Sequence, residues 1–223
     1  MLKLDLHIHS CYSEDAEGTP KEIISSLKKK GLQGVAITDH NTVKGALQAV
    51  KIAPKDFLVI PGIEISTQDG HLLGLNIQEP VQRGLSVEET VDLILEKGGL
   101  PVVPHLFRNM SGIKLAKFQL IVSRLVTMEV FNGCSLPKTN IKTARIAHQY
   151  KLGGTGGSDS HHPNYAGSAY TLVDTTEISI DAVLSALEQK KTWGEGTTMP
   201  LEYRQDRMMK SIKQYFQRGL KRI

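Results

Sequence analysis

Histidines and carboxylates in this sequence collect where short apolar runs end. His7 and His9 close the run Lys3–His9, His40 follows Gly34–Thr38, and Glu64 lies near the end of Phe57–Ile65. His71 opens the run His71–Ile77, and His105 comes directly after Leu100–Pro104. Asp159 and His161 follow Gly153–Gly157, and Asp15 comes shortly after His9. Side chains two apart on a strand point to the same face, so His7 and His9 can grip one ion while Leu6 and Ile8 pack the other way. Asp159 and His161 repeat that spacing, and share its logic if the turn stays extended. Imidazole and carboxylate are the donors of zinc, iron and manganese sites. Two histidines in one strand are a weak signal. Six histidines and three carboxylates grouped at strand ends are a much sharper one.

Something must hold those strand ends together. The runs above, with Thr127–Asn132 and Ala169–Val173, read as strands, and helical stretches fall near 20–30, 42–53, 86–97, 113–125, 137–150 and 179–190. Thr19-Pro20 and Ser86 followed by Glu89 are N-terminal cap signals, the second fitting a capping box. Gly34-Val35-Ala36-Ile37 and Pro101-Val102-Val103 are continuously apolar, as strands of a parallel sheet buried on both faces should be. Repeated strand-then-helix units predict an α/β barrel or a doubly wound sheet. In such folds active sites form at the C-terminal strand ends, where the acids and histidines lie. No repeat or low-complexity linker interrupts the chain. The expectation is a single domain over residues 1–200 and a C-terminal basic amphipathic helix over 201–223.

Composition narrows the class. Of 223 residues, 40% are hydrophobic, 22% charged and 5% aromatic, which is ordinary globular usage and excludes a disordered or collagenous chain. The apolar runs fall short of the roughly 18 residues of a membrane span, and no secretory leader is visible. With two cysteines, Cys11 and Cys134, the expectation is a soluble, reduced, cytoplasmic protein. The net charge of +4 is uneven: residues 202–223 hold seven Lys or Arg against two acids, which leaves the rest slightly negative. Met208, Met209, Ile212, Tyr215, Phe216 and Leu220 recur there at helical spacing. Such a helix could lie on RNA or a membrane surface, but the expected role is to pack its stripe on the barrel or on a partner subunit, compatible with a homo-oligomer.

Seven segments together carry a family resemblance. DLHIHSCYSED (5–15), ITDHNT (37–42), PGIEI (61–65), HLLG (71–74), PH (104–105), EVFNG (129–133) and GGSDSHH (156–162) resemble, in order, the PHP (polymerase and histidinol phosphatase) superfamily. The resemblance implies a distorted (β/α)7 TIM-like barrel whose trinuclear metal centre hydrolyses phosphoesters. Residue by residue, it implies His7, His9, Asp159 and a bridging Glu64 at a first metal, Glu64, His71 and His105 at a second, and Asp15, His40 and His161 at a third. Glu14 rivals Asp15. No ligand position is empty, which counts against a non-catalytic scaffold or binding module. Glu64, Asp159 and His161 are the residues expected to act in catalysis. Three divalent ions against Asp15, Glu64 and Asp159 leave an excess of about +3, which suits a phosphate.

Other residues keep two readings. Arg108 is the candidate phosphate clamp or a solvated arginine, with Asn132 and His162 as further substrate-binding candidates. Asp5 either accepts a hydrogen bond from a ligand histidine or is a buried structural carboxylate, and Asp39 shares that ambiguity. His148 reads as a surface or packing residue and Cys11 as a loop thiol. The expected activity is hydrolysis of a phosphate ester of a small metabolite or nucleotide, using up to three zinc, manganese or iron ions. A nuclease acting on nucleic-acid ends, anchored by the basic tail, is the alternative. Only about 25 residues separate Leu75 from Pro101, too few for the inserted domain of the family's nucleotide-bisphosphate phosphatases.

Overall fold

β1 (Leu2–Ile8) divides its side chains between two environments. Leu2, Leu4, Leu6 and Ile8 enter the apolar core, while Asp5 and His7 are buried on the opposite face. The computed structural model describes residues 1–217 and Gly219. In it β1 pairs in parallel with β2 (Gly34–Ile37), and β2 with β3 (Leu58–Ser66). β4 (His71–Leu75) runs antiparallel to both β3 and β5 (Leu100–Val102). A separate parallel pair, β6 (Thr127–Asn132) and β7 (Gly153–Gly157), joins β5 through the bridge Val103–Met128. The end of β7 returns to β1: Asp159 N donates to His7 O at 2.7 Å and His9 N to Ser160 O at 3.0 Å. Seven strands therefore make the expected distorted barrel.

Outside it, β8 (Ala169–Val173) lies antiparallel on β1, and β9 (Thr192–Gly196) antiparallel on β8, so the main sheet runs β5-β4-β3-β2-β1-β8-β9. Helices α1 (Pro20–Lys29), α2 (Lys44–Ile52), α3 (Val87–Glu96), α4 (Leu115–Ile121), α5 (Pro137–Gln149) and α6 (Ile180–Glu188) alternate with the strands, and α7 (Leu201–Gln217) ends the described chain. Both cap signals form: Thr19 with Glu22 and Ser86 with Glu89 make reciprocal capping boxes.

Two features depart from a uniform parallel reading. Only Thr67–Gly70 separate β3 from β4, too few residues for a crossover helix, so the chain turns back. β9, absent from the sequence expectations, is Thr192-Trp193-Gly194-Glu195-Gly196, too glycine-rich to read as a strand. Gly194 is needed because a Cβ there would lie 2.4 Å from Thr155 O. The buried apolar residues form three clusters, the largest of them around β3, β4, α3 and α4. Ile63, Ile65, Leu72 and Phe118 lie in it, fully buried. Burying each stabilises the fold by about 1.5–3 kcal/mol.

Candidate metal centre

Glu64 stands at the middle of the barrel mouth. β3 presents it with 1% exposure, and five imidazoles meet its two oxygens. His71 Nδ1 and His105 Nε2 each lie 3.0 Å from Oε1. His40 Nδ1, His9 Nε2 and His7 Nε2 lie 3.2, 3.3 and 3.5 Å from Oε2. Asp159 Oδ1 faces His9 Nε2 at 3.4 Å and His7 Nε2 at 3.7 Å. Asp15 Oδ2 faces His161 Nε2 at 3.2 Å and His40 Nε2 at 3.8 Å. All nine donors singled out in the sequence converge here, and Asp15 is buried whereas its rival Glu14 is exposed.

The donor set fits divalent cations. Ligand atoms of His7, His9 and Glu64 lie within 4.8 Å of one another, as do those of His40, Glu64 and His71, of His9, His40 and His161, and of His7, His105 and Asp159. His7 Nε2, His9 Nε2 and His161 Nε2 are buried without a hydrogen bond among the described residues. Buried polar atoms rarely stay unpaired, and imidazole nitrogens converging with carboxylates are the donor set of a hard or borderline metal. These groups share members, so the ions they could hold would share ligands.

Charge in the mouth follows from the crowding. Burial alone would raise the Glu64 carboxyl, but the imidazoles of His71, His40 and His7 hold it well below the usual carboxylate range. Burial would likewise raise Asp159, and Arg108 and His7 hold it well below. Burial, with Arg108 next, pushes His105 down to about 4; burial, with Arg207 next, does the same to His161. Burial also works against a charged His9, yet Asp159 and Glu64 overcome it and raise the ring to about 9. His7 is raised well above its ordinary value, its burial outweighed by Asp159, Glu129 and Glu64.

Local backbone aims these groups. His105 (φ 31°) and Asp159 (φ 52°) both occupy the left-handed region, at a strain of about 1–3 kcal/mol each. The turn from Asp159 to His161 is a left-handed kink at Asp159, so the condition under which the pair would repeat the alternation of His7 and His9 is not met; His161 Nδ1 lies 3.0 Å from Asp159 O. β7 approaches β1 closely because Gly157 has no side chain; a Cβ there would lie 2.3 Å from His7 Cβ.

Glu129 is the residue that sequence reasoning passed over. Its Oε1 lies 2.9 Å from His7 Nδ1, and its Oε2 accepts from His105 N and Asn132 Nδ2 at 2.9 Å each. The available signal was a buried acid inside the β-run Thr-Met-Glu-Val-Phe-Asn. Asn132 Nδ2 also donates to Asp159 Oδ2 at 3.1 Å, and its Oδ1 accepts from Arg108 Nη2 at 2.8 Å. Arg108 additionally pairs with Asp159, so it is a partner of the cluster rather than a solvated arginine. His162 lies at the rim, its Nδ1 accepting from Asn164 N at 3.2 Å.

The two ambiguous acids are structural. Asp5 accepts from Ser158 N and Gly167 N at 2.9 Å each, and its only contact with His7 is to the backbone N. Asp39 accepts from Ser10 N at 2.6 Å and Ser13 Oγ at 3.0 Å, pinning the loop after β1. His148 and Cys11 are exposed.

Among the described residues the terminal helix does not lay its apolar stripe on the barrel, which leaves the other expected seat, a partner subunit. None of the described residues of α7 is buried, and Met208, Met209 and Phe216 are 56, 61 and 66% exposed; Leu220 lies outside the described residues. Polar contacts hold α7, together with the Tyr203 ring, its centroid lying 4.1 Å from that of Tyr165. Tyr203 OH accepts from His161 N at 3.1 Å, and Arg207 Nη2 donates to Asp15 Oδ2 at 3.0 Å and its Nη1 to Asp15 O at 3.1 Å. Lys210 Nζ pairs with Glu17 at 3.2 Å.

Comparisons with known proteins agree with this geometry. The family model described as PHP domain matches residues 5–220. Two uncharacterized proteins of Methanocaldococcus jannaschii are similar: MJ1587 is 42% identical over 59% of this chain and 82% of its own length, and MJ0417 is 32% identical over 81% and 73%. A 5'-3' exoribonuclease of Haemophilus influenzae is 34% identical over 44% of this chain and 42% of its own length. Among solved structures, a two-domain Bacteroides vulgatus protein containing a predicted PHP-like metal-dependent phosphoesterase superposes with TM-score 0.75 at 18% identity. That match covers 88% of this chain and 65% of the other. The lesion-specific endonuclease EndoQ of Pyrococcus furiosus superposes with TM-score 0.62 at 17% identity, over 84% and 56%.

Proposed function

The chain belongs to the PHP domain family of metal-dependent phosphoesterases, and from that premise we propose that it hydrolyses the phosphate ester of a small metabolite or nucleotide. In this reading residues 1–200 form the catalytic barrel and 201–223 a C-terminal amphipathic tail, whose described helix α7 reaches Asp15 through Arg207. His7, His9, Asp15, His40, Glu64, His71, His105, Asp159 and His161 would hold up to three zinc, manganese or iron ions. Such ions lower the pKa of water toward neutrality and neutralise charge on phosphoryl oxygens. The protein's own part is placement. Glu64 links neighbouring donor groups, and Glu129 fixes the His7 ring through Nδ1 and the His105 backbone. Asp159 and His161 orient the reacting group, and Arg108, steadied by Asn132, supplies a guanidinium for a phosphoryl oxygen.

The observation that carries the reading is Glu64, buried with five imidazoles within 3.5 Å. The small-substrate preference is supported by a cavity of about 190 Å³ between α7 and the loop holding His161 and His162. The free thiols of Cys11 and Cys134 support the reduced cytoplasmic setting. No helix among the described residues is long and apolar enough to cross a membrane.

A second reading has its own observation. Arg108, Lys114 and Lys117 line a further cavity of about 410 Å³ beside the mouth together with Asp69, which pairs with Lys117, so the excess of positive charge that would suit a polynucleotide backbone is modest. A phosphate-release screen of metabolites and nucleotides on manganese-reconstituted protein, run beside single-stranded RNA over a salt series, decides between them. Fast release from small esters with little salt dependence is expected. Preferential cleavage of RNA ends with steep salt dependence replaces this reading with the nuclease. Fewer than one ion bound per chain after reconstitution overturns the metal centre itself.

A further inference from the structure

Two arginines reach the donor cluster from different parts of the chain. Arg108 comes from the loop after β5 and rests on Asp159 and Asn132. Arg207 comes from α7, beyond every motif that suggested the site, and rests on Asp15. Its side chain is 18% exposed and lines the cavity of about 190 Å³ together with His161, His162, Tyr203 and Lys210 and with three acids, Asp15, Glu17 and Asp206, of which Asp15 is held by Arg207 itself and Glu17 by Lys210.

The contact with Asp15 explains why a guanidinium is there. Asp15 Oδ2 is the oxygen that faces His161 Nε2 at 3.2 Å, and it is also the oxygen that Arg207 Nη2 holds at 3.0 Å. Arg207 and a cation beside His161 therefore draw on the same atom. A divalent ion held there would neutralise the carboxylate and weaken its hold on the arginine. Lys210 keeps its pairing with Glu17, and Tyr203 keeps its hydrogen bond from His161 N, so α7 has anchors independent of Asp15. A guanidinium released beside a metal centre, in a cavity open to solvent, is a fork for two phosphoryl oxygens.

We propose that the cavity beneath α7 is the substrate-anion site of the enzyme and that Arg207 is its phosphate-binding residue, exchanging Asp15 for a phosphoryl group. This rests on the phosphoesterase reading of the metal centre. The terminal helix then forms part of the active site. It is the wall that favours a small phosphate ester over a continuous polymer.

The test uses full-length protein reconstituted with manganese and inorganic phosphate as the probe, read by calorimetry, with metal counted on the same samples. Arg207→Gln should weaken phosphate binding at least about 10-fold with metal content unchanged, and Arg207→Lys should fall between it and wild type. Lys213→Ala, on an exposed part of the same helix and outside the cavity lining, should match wild type. Phosphate affinity of Arg207→Gln equal to wild type overturns the proposal. Loss of metal in that variant also overturns it, by showing that Arg207 serves to hold Asp15. An equal loss in Lys213→Ala reduces the effect to general charge and overturns it as well. Failure of wild type itself to bind manganese or phosphate is a different result, since it removes the phosphoesterase reading on which the proposal rests.

Discussion

A single carboxylate has an unusual share of the chemistry in this protein. Glu64 has imidazoles at 3.0–3.5 Å on both oxygens, so one amide substitution alters several donor groups at once. Glu64→Gln should lower turnover by at least about 100-fold, measured on the best ester from the screen. A change of only a few-fold with metal intact would show that Glu64 does not link the donor groups. Protons compete for the same nitrogens. Against burial, the carboxylates around them raise His9 to about 9 and His7 well above its ordinary value, so protons bind these two rings more tightly than a free imidazole. A cation needs the neutral rings, so affinity should rise as pH climbs from about 6.5 toward 9, with proton release. His105 and His161, pushed down to about 4, are already neutral there and contribute none of this slope. Manganese titrations at several pH values, in buffers of different ionisation enthalpy, measure it; a flat affinity would count against these rings as ligands. Seven of the donors were legible as imidazoles and acids gathered at the ends of apolar runs, while His71, which opens its strand, and Asp15, beside its rival Glu14, were assigned through the family resemblance. Glu129 was not legible, since a lone acid within a strand looks the same whether it orients a histidine or pairs elsewhere.

At the scale of elements, the close approach of β7 to β1 brings Asp159 to His7. Gly157 permits it, with its missing Cβ only 2.3 Å from His7 Cβ. Gly157→Ala should push the strands apart at a cost of about 1–3 kcal/mol, the usual range for overpacking. In a domain of this size each kcal/mol is roughly 2–4 °C of Tm. A matching drop in bound metal is expected, because the displaced side chain is a ligand. An unchanged melt and full metal content would show that the barrel absorbs the methyl elsewhere. The sequence pattern was informative where period and capping acted locally. Leu2, Leu4, Leu6 and Ile8 alternate with Asp5 and His7, and Thr19–Glu22 and Ser86–Glu89 closed their helices as expected. Strand direction was not written locally. An apolar run reads the same in either sense, and only the short link Thr67–Gly70 reveals that β4 turns back. How α7 meets its own barrel was not written in the stripe either: Met208, Met209 and Phe216 recur at helical period and stay exposed, and Tyr203 and Arg207 make contacts with the barrel.

Taken as a whole, the molecule gathers six imidazoles, Asp15, Glu64, Asp159 and Glu129 into one buried mouth, with Arg108 and Arg207 leaning on the acids. Removing so many ionisable groups from water is unfavourable unless their charges and lone pairs are matched, and several ring nitrogens have no hydrogen bond among the described residues. Folding and cation binding should therefore be strongly linked. A ligand present at 100 times its Kd, and binding only the folded state, stabilises by about 2.7 kcal/mol for each site. For a domain of this size that is roughly 5–11 °C of Tm per tightly filled site. Manganese or zinc added to chelator-treated protein should raise the melting temperature by at least that much, and EDTA should reverse it. Magnesium, which prefers oxygen donors and keeps its own water, should do far less at equal concentration. Scanning calorimetry with the three ions separates specific ligation from screening: an equal rise with magnesium, or none with manganese, would mean that the mouth is stabilised by its internal ion pairs alone.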